Sequence, residues 1–252
     1  MESVRAKGDG PPAENTSRNT HNVVAELLLA REGGRVLDAP CGEGALALRL
    51  GQTGREVCCV DCVEDILQVE GVEFRLGDLQ GRLPFDDAFF DAAACVDGIE
   101  HVENPFHLAR EFGRVLRPGG LLVLSTPNVS ALRSRFRFLL TGGHNKFKRP
   151  LDEARPNPLH HITPLTFPRL RYVLHTSGFR VAAVRANRVK AASWPYALLY
   201  PFARLATALT FRREADCDQR ERNRAILRTL YSIPVAFGET LIVAAEKREE
   251  TT

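Results

Sequence analysis

A chain of 252 residues with 44% hydrophobic side chains has enough material for one good core, at a composition ordinary for a globular protein. A net charge of +3 is too weak to mark a nucleic-acid binder. Four of the six cysteines fall in or beside predicted buried strands and read as reduced apolar filler. Strand alternation sends Cys58 and Cys59 to opposite faces, which argues against a zinc site with Cys62.

Residues 1–16 are polar and rich in Gly and Pro, and are expected to form a disordered tail. They hold no apolar signal core, so a cytoplasmic protein is expected. A helix is predicted over Ser17 to Arg31, with Val23, Val24, Leu27 and Leu28 on one face. Apolar runs then recur at Arg35–Asp38, Glu56–Asp61, Val72–Leu76, Phe90–Val96 and Gly120–Ser125. Helical patterns separate most of them. The clearest is Pro105–Leu116, stopped by Arg117-Pro118-Gly119-Gly120. A helix at Pro164–Thr176, a strand at Phe179–Val189, a helical insertion at Trp194–Tyr231 and a last strand at Glu239–Ala245 complete the pattern. Strands alternating with helices predict an α/β fold with a parallel sheet covered on both faces, closed by an antiparallel pair.

Val36-Leu37-Asp38-Ala39-Pro40-Cys41-Gly42-Glu43-Gly44 is an apolar run that ends in an acid and a tight glycine turn, followed by a helical pattern from Ala45. A strand, a glycine turn and a helix let the backbone approach a ligand closely. A second acid, Asp61, ends the next run, where a ribose hydroxyl pair would be gripped. A nucleoside-containing cofactor follows. The glycines alone do not choose among cofactors, because Ala47 stands where a dinucleotide fingerprint has its third glycine. Asp38 does discriminate: it would repel a pyrophosphate and welcome a zwitterionic amino acid with a sulfonium.

These motifs resemble the class I S-adenosylmethionine-dependent methyltransferases. Val36-Leu37-Asp38-x-x-Cys41-Gly42-x-Gly44 looks like the first motif, Asp61 like the ribose-binding acid, and Gly77-Asp78-Leu79 like the segment whose acid meets the adenine. Leu83–Asp91 and Arg114–Gly120 resemble the fourth- and fifth-strand signatures. The resemblance implies a Rossmann-like, mostly parallel seven-stranded sheet with an antiparallel final strand. It implies a domain over 17–252, with insertions at about 129–163 and 191–231 covering the acceptor site. The cofactor residues it implies are Asp38, Ala39, Cys41, Gly42, Gly44, Asp61, Cys62, Asp78, Leu79, Val96 and Asp97.

Past the fourth strand, Asp97, Glu100 and His101 are spaced i, i+3 and i+4, so a helical turn would set them on one face as an acid/base cluster or half of a metal site. Glu100 and His101 are the catalytic candidates, with His101 taking a proton from an acceptor hydroxyl. The segment resembles ubiquinone-pathway phenol O-methyltransferases, which show a Glu-His pair here. It also resembles small-RNA 2′-O-methyltransferases, whose Glu-x-x-Glu-His and a later histidine hold a divalent metal. The matching set here is Asp97, Glu100, His101 and His161, with His160 in reserve. Glu100–Pro105, Ser125–Asn128 and His161–Pro164 are similar to bacterial methyltransferases of cell-surface polysaccharide and lipid pathways.

The expected activity is S-adenosylmethionine-dependent O-methylation of a small-molecule, lipid-linked or glycan acceptor. A metal-dependent RNA 2′-O-methyltransferase and a non-catalytic cofactor-binding scaffold are the alternatives. Nucleic acid is disfavoured, because no RNA-binding module is present. From Val129 to Pro150 the charged residues are Arg133, Arg135, Arg137, Lys146, Lys148 and Arg149, with no acid among them. Residues 191–213 are largely apolar. Two prolines and Arg204 argue against a membrane span, leaving a lid over the acceptor or a peripheral membrane contact.

Overall fold

A computed structural model describes residues 4–8 and 10–249. In chain order its elements are β1 (Arg5–Ala6), α1 (Thr20–Leu29), β2 (Arg35–Asp38), α2 (Ala45–Gly51), β3 (Glu56–Asp61), β4 (Val69–Glu70), β5 (Glu73–Leu76) and β6 (Phe90–Cys95). Then come α3 (Pro105–Val115), β7 (Leu116–Pro127), α4 (Leu132–Thr141), α5 (Phe167–Thr176), β8 (Phe179–Ala186), α6 (Tyr200–Arg212), α7 (Cys217–Leu230), α8 (Ile233–Phe237) and β9 (Thr240–Lys247). Two 3-10 segments, Ile99–His101 and Ala191–Leu199, lie between them.

The apolar runs become strands because parallel strands covered on both faces are buried along their whole length. The seven-stranded sheet has the order β5-β3-β2-β6-β7-β9-β8. β2 pairs in parallel with both β3 and β6, so the strand order reverses at β2. β9 runs antiparallel between β7 and β8. The mostly parallel sheet with an antiparallel final strand is therefore as expected. Cores lie on both faces. Val24, Leu28, Leu46 and Leu50 of α1 and α2 pack with Cys59 on one. Leu108, Phe112, Leu170, Leu174 and Leu230 of α3, α5 and α7 pack with Cys58 on the other. The two neighbouring cysteines do face opposite ways.

Helix limits follow from local chemistry. The Asn104 side chain accepts the Phe106 and His107 N–H groups, and Pro105 supplies the first helical φ, so α3 starts there. The helix expected from Pro164 starts instead at Phe167, because the Thr166 hydroxyl caps it.

The tail expected to be disordered is ordered over its described residues; Met1–Ser3 and Asp9 lie outside them. β1 pairs antiparallel with β4. The Ala13 N–H donates to Glu43 at 2.8 Å, Arg49 pairs with Glu14 at 2.9 Å, and the Thr16 hydroxyl donates to Asp97 at 2.6 Å. These contacts reach far along the chain, so no local pattern announces them.

Asn128 ties the rim of the site to the last strand. Its buried amide donates to the carbonyls of Pro234, Val235 and Gly238 at 3.0–3.2 Å, fixing α8 and the entry to β9. Leaving those carbonyls unpaired costs about 1–3 kcal/mol. Asn128→Ala is expected to lower unfolding stability by roughly that amount in a denaturant titration. An unchanged midpoint would remove this role.

Candidate active site

A cavity of about 1170 Å3 opens at the carboxyl ends of β2, β3, β5 and β6. That is the crevice an open α/β sheet leaves where its strand order reverses. Asp38, Cys41, Gly42, Asp61, Cys62, Asp78, Leu79, Val96 and Asp97 all line it. Ala39 and Gly44, also expected to bind cofactor, do not. Ala39 is fully buried in the core. Gly44 shapes the loop: its φ is +89°, and a Cβ there would come within 2.6 Å of the Leu67 side chain.

The glycine turn is clamped to the next strand end. Asp61 Oδ2 accepts the Gly42 N–H at 3.0 Å, and its Oδ1 accepts the Val63 N–H at 3.2 Å. A Cβ built on Gly42 meets nothing within 4 Å, so its backbone stands open to a ligand. Asp38 is buried at the end of β2, and its Oδ2 has no hydrogen-bond partner. Burial pushes its carboxyl up to about 8. An orphaned buried carboxyl, an open glycine backbone and acids on two neighbouring strand ends fit the amino acid, ribose and adenine portions of S-adenosylmethionine.

His101 lies in the 3-10 turn after β6 and lines the cavity. Its Nδ1 stands 3.0 Å from the His160 carbonyl oxygen. A carbonyl only accepts, so the imidazole donates from Nδ1 in this contact. Burial holds the imidazole below its usual pKa, in the neutral form. His161 also lines the cavity, with its ring 4.7 Å from that of His101, centroid to centroid. The Glu100 carbonyl brings it there by accepting the N–H groups of Ile162 and Thr163, each at 3.0 Å. The Glu100 side chain is fully buried behind the cavity wall, and both its oxygens lack partners. Burial and the nearby Asp97 hold it well above the usual carboxylate range.

Glu100, His101 and His161 each offer a ligand atom, all within 4.8 Å of one another. Asp97, expected in the metal set, is outside this group. Its φ is +46°, which breaks the helical spacing that would align it with Glu100 and His101. Its two oxygens instead accept the Ser125 and Thr16 hydroxyls, each at 2.6 Å. His160 contributes its carbonyl rather than its ring. Thr16, His21, Lys146 and Lys190 also line the cavity, from the tail, α1 and the segments after α4 and β8. Lys146 belongs to the acid-free basic run of the sequence, whereas no local pattern marks Thr16, His21 or Lys190.

The reversal of the sheet order and the acids at its strand ends fit a class I S-adenosylmethionine-dependent methyltransferase domain. Residues 37–124 match the family model described as a methyltransferase domain, and the chain carries that domain. A ubiquinone biosynthesis O-methyltransferase of Xanthomonas oryzae pv. oryzae is 34% identical over 115 residues, spanning 42% of this chain and 47% of the relative. The enzyme of that name from Alkalilimnicola ehrlichii is 30% identical over 131 residues, spanning 48% and 53%. The chain thus spans about half the length of the curated relatives it matches. Among solved structures, a SAM-dependent methyltransferase of Archaeoglobus fulgidus superposes with a TM-score of 0.54 at 19% identity, covering 90% of this chain and 95% of that one. The cyclase SpnF gives 0.54 at 19% identity, covering 95% and 87%. A fold shared with a cyclase does not by itself assign the reaction.

Two outcomes follow. Asp61→Ala is expected to weaken S-adenosylhomocysteine binding about tenfold or more in calorimetry, because a charged hydrogen-bonding group is lost; unchanged affinity would sink the assignment. Asp38 has a raised pKa when folded, so its contribution to stability is full below the unfolded carboxylate value and fades as pH rises toward about 8. Asp38→Asn should therefore unfold at higher denaturant than the native chain at pH 8, with the gap closing toward pH 4. A gap independent of pH would show that the carboxyl is not held neutral.

Proposed function

We propose that the chain transfers the methyl group of S-adenosylmethionine to a hydroxyl of a small-molecule, lipid-linked or glycan acceptor. The observation that carries this reading is His101, an imidazole held by the His160 carbonyl through Nδ1, in the wall of the cavity that the strand-end acids also line. The cofactor supplies an activated leaving group, so the protein's work is alignment and proton removal. Asp38, Asp61 and Asp78 would hold its amino acid, ribose and adenine portions, and the backbone at Gly42 would lie against it. His101 Nε2 would accept the acceptor hydroxyl's proton. The His160 carbonyl keeps the ring in the correct tautomer. The Glu100 backbone carbonyl, which accepts the Ile162 and Thr163 N–H groups, holds the His161 loop beside His101. The segment at 129–163 supplies one side of the cavity through Lys146, Pro158 and His161, and Lys190 joins it from just before the segment at 191–231, none of whose residues lines the cavity. The names of the relatives support a small or lipid-like acceptor.

The Glu100–His101–His161 group supports a second reading, in which these three side chains hold a divalent cation. Three donors within 4.8 Å, two of them with orphaned buried atoms, suit that role. Activity that survives exhaustive chelation would exclude it.

The outer face supports peripheral binding to an anionic bilayer. Leu198, Phe202, Leu205 and Leu209 are 51–80% exposed, and their spacing sets them along one outward stripe of α6 and the turn before it. Residues 191–213 include Arg204, Arg212 and Arg213 and no acid, which complements anionic headgroups. No helix among the described residues is long and apolar enough to cross a membrane.

His101→Gln is expected to keep S-adenosylhomocysteine affinity within about twofold and to lower turnover by roughly 100-fold or more, the usual worth of a general base. Normal turnover would return His101 to a structural role. Phe202→Glu combined with Leu205→Glu should abolish cosedimentation with phosphatidylglycerol vesicles. Retained sedimentation would remove the membrane contact.

A further inference from the structure

A second cavity, of about 90 Å3, shares a wall with the large one: Pro127, Lys146, Lys190 and Glu239 line both. It lies where the start of α4, the segment after α4 and the segment after β8 meet. Four cations line it, Arg133, Lys146, Lys148 and Lys190, against one acid, Glu239. That acid is already held by Arg188 at 2.6 Å and Lys190 at 2.5 Å. Arg133, Lys146 and Lys148 have no ion-pair partner among the described residues. Three uncompensated cations around one small concavity raise the local concentration of anions.

Two independent features also point to a ligand. Asn128 lines the cavity at 3% exposure, and its Oδ1 has no partner, although its amide is fully used. Ala131, the residue that opens α4, lines it too; that helix carries no acid in its first turn and no side-chain cap. Unpaired N–H groups at a helix start favour an anion. The Lys146 charge also bears on Glu100 and His161, so the concavity adjoins the proton-accepting end of the large cavity.

We propose that this concavity binds a phosphoryl group of the methyl acceptor, so that the substrate is a phosphate-bearing hydroxyl compound anchored beside His101. The proposal rests on the reading of the large cavity as a methyl-transfer site. Arg133 and Lys148 hold the phosphoryl oxygens, Lys146 spans the two cavities, and the Asn128 carbonyl oxygen accepts a hydrogen from the group that bears the phosphate. The shared chemistry is the phosphoryl anion, carried either by a soluble metabolite or by a lipid headgroup.

The test uses the full chain, titrated with inorganic pyrophosphate at constant ionic strength, alone and saturated with S-adenosylhomocysteine. Saturable binding is expected in both states. Arg133→Gln or Lys148→Gln should weaken it about tenfold, as for loss of one charge-assisted contact. Arg110→Gln, an exposed cation elsewhere, should leave it unchanged. All three variants should keep native S-adenosylhomocysteine affinity. No saturable binding, an equal loss in Arg110→Gln, or displacement of pyrophosphate by S-adenosylhomocysteine would overturn the proposal. Failure of S-adenosylhomocysteine itself to bind would strike the methyl-transfer reading instead, and is read in the same titrations. Vesicles of phosphatidylcholine with and without phosphatidylglycerol, titrated with the native chain and Arg133→Gln, separate the sources. Dependence on Arg133 for vesicle binding assigns a headgroup, and dependence for pyrophosphate alone assigns a soluble acceptor.

Discussion

The structure turns on a carboxyl buried at the point where the sheet reverses its order. β2 has parallel neighbours on both sides, and the chain leaves it toward β3 in one direction and later returns as β6 in the other. The two connections diverge and leave a crevice above the end of β2. Asp38 sits buried in that crevice with one oxygen unpartnered, an arrangement that costs free energy. The clamp from Asp61 to Gly42 and the close approach at Gly44 make sense around it. They hold a stretch of backbone open beside a group that lacks a counter-charge.

Much of this was legible in the sequence, for physical reasons that differ by element. β2, β3 and β6 showed because buried parallel strands are unbroken apolar runs, and the acids that end two of them line the crevice at the carboxyl end of the sheet. α3 showed because its helical pattern runs from Pro105 and Arg117-Pro118-Gly119-Gly120 stops it; the Asn104 cap did not show. Asp97 misled, because its spacing to Glu100 and His101 assumes helical geometry and a left-handed residue interrupts it. The tail was illegible: its partners Glu43, Arg49 and Asp97 lie far along the chain, and such contacts leave no periodicity. Gly44 and Ala39 belong to the cofactor motif, yet they work by packing the loop rather than by lining the cavity.

The acceptor side is built differently from the cofactor side. Strand ends supply the acids of the crevice, whereas a 3-10 turn supplies His101 and the loop after α4 supplies His161. That loop is held by backbone hydrogen bonds to the Glu100 carbonyl, which bring the His161 ring against that of His101. The basic and apolar surfaces nearby come from the segments between β7 and β9.

The most direct test of this account is calorimetric titration of the intact chain with S-adenosylhomocysteine at pH 7, in two buffers of different ionisation enthalpy. If Asp38 is held neutral until the ligand's ammonium pairs with it, binding releases protons, and the observed heat differs between buffers by an amount that vanishes in Asp38→Asn. Binding with equal heats in both buffers, or no binding, would contradict the role given to this carboxyl.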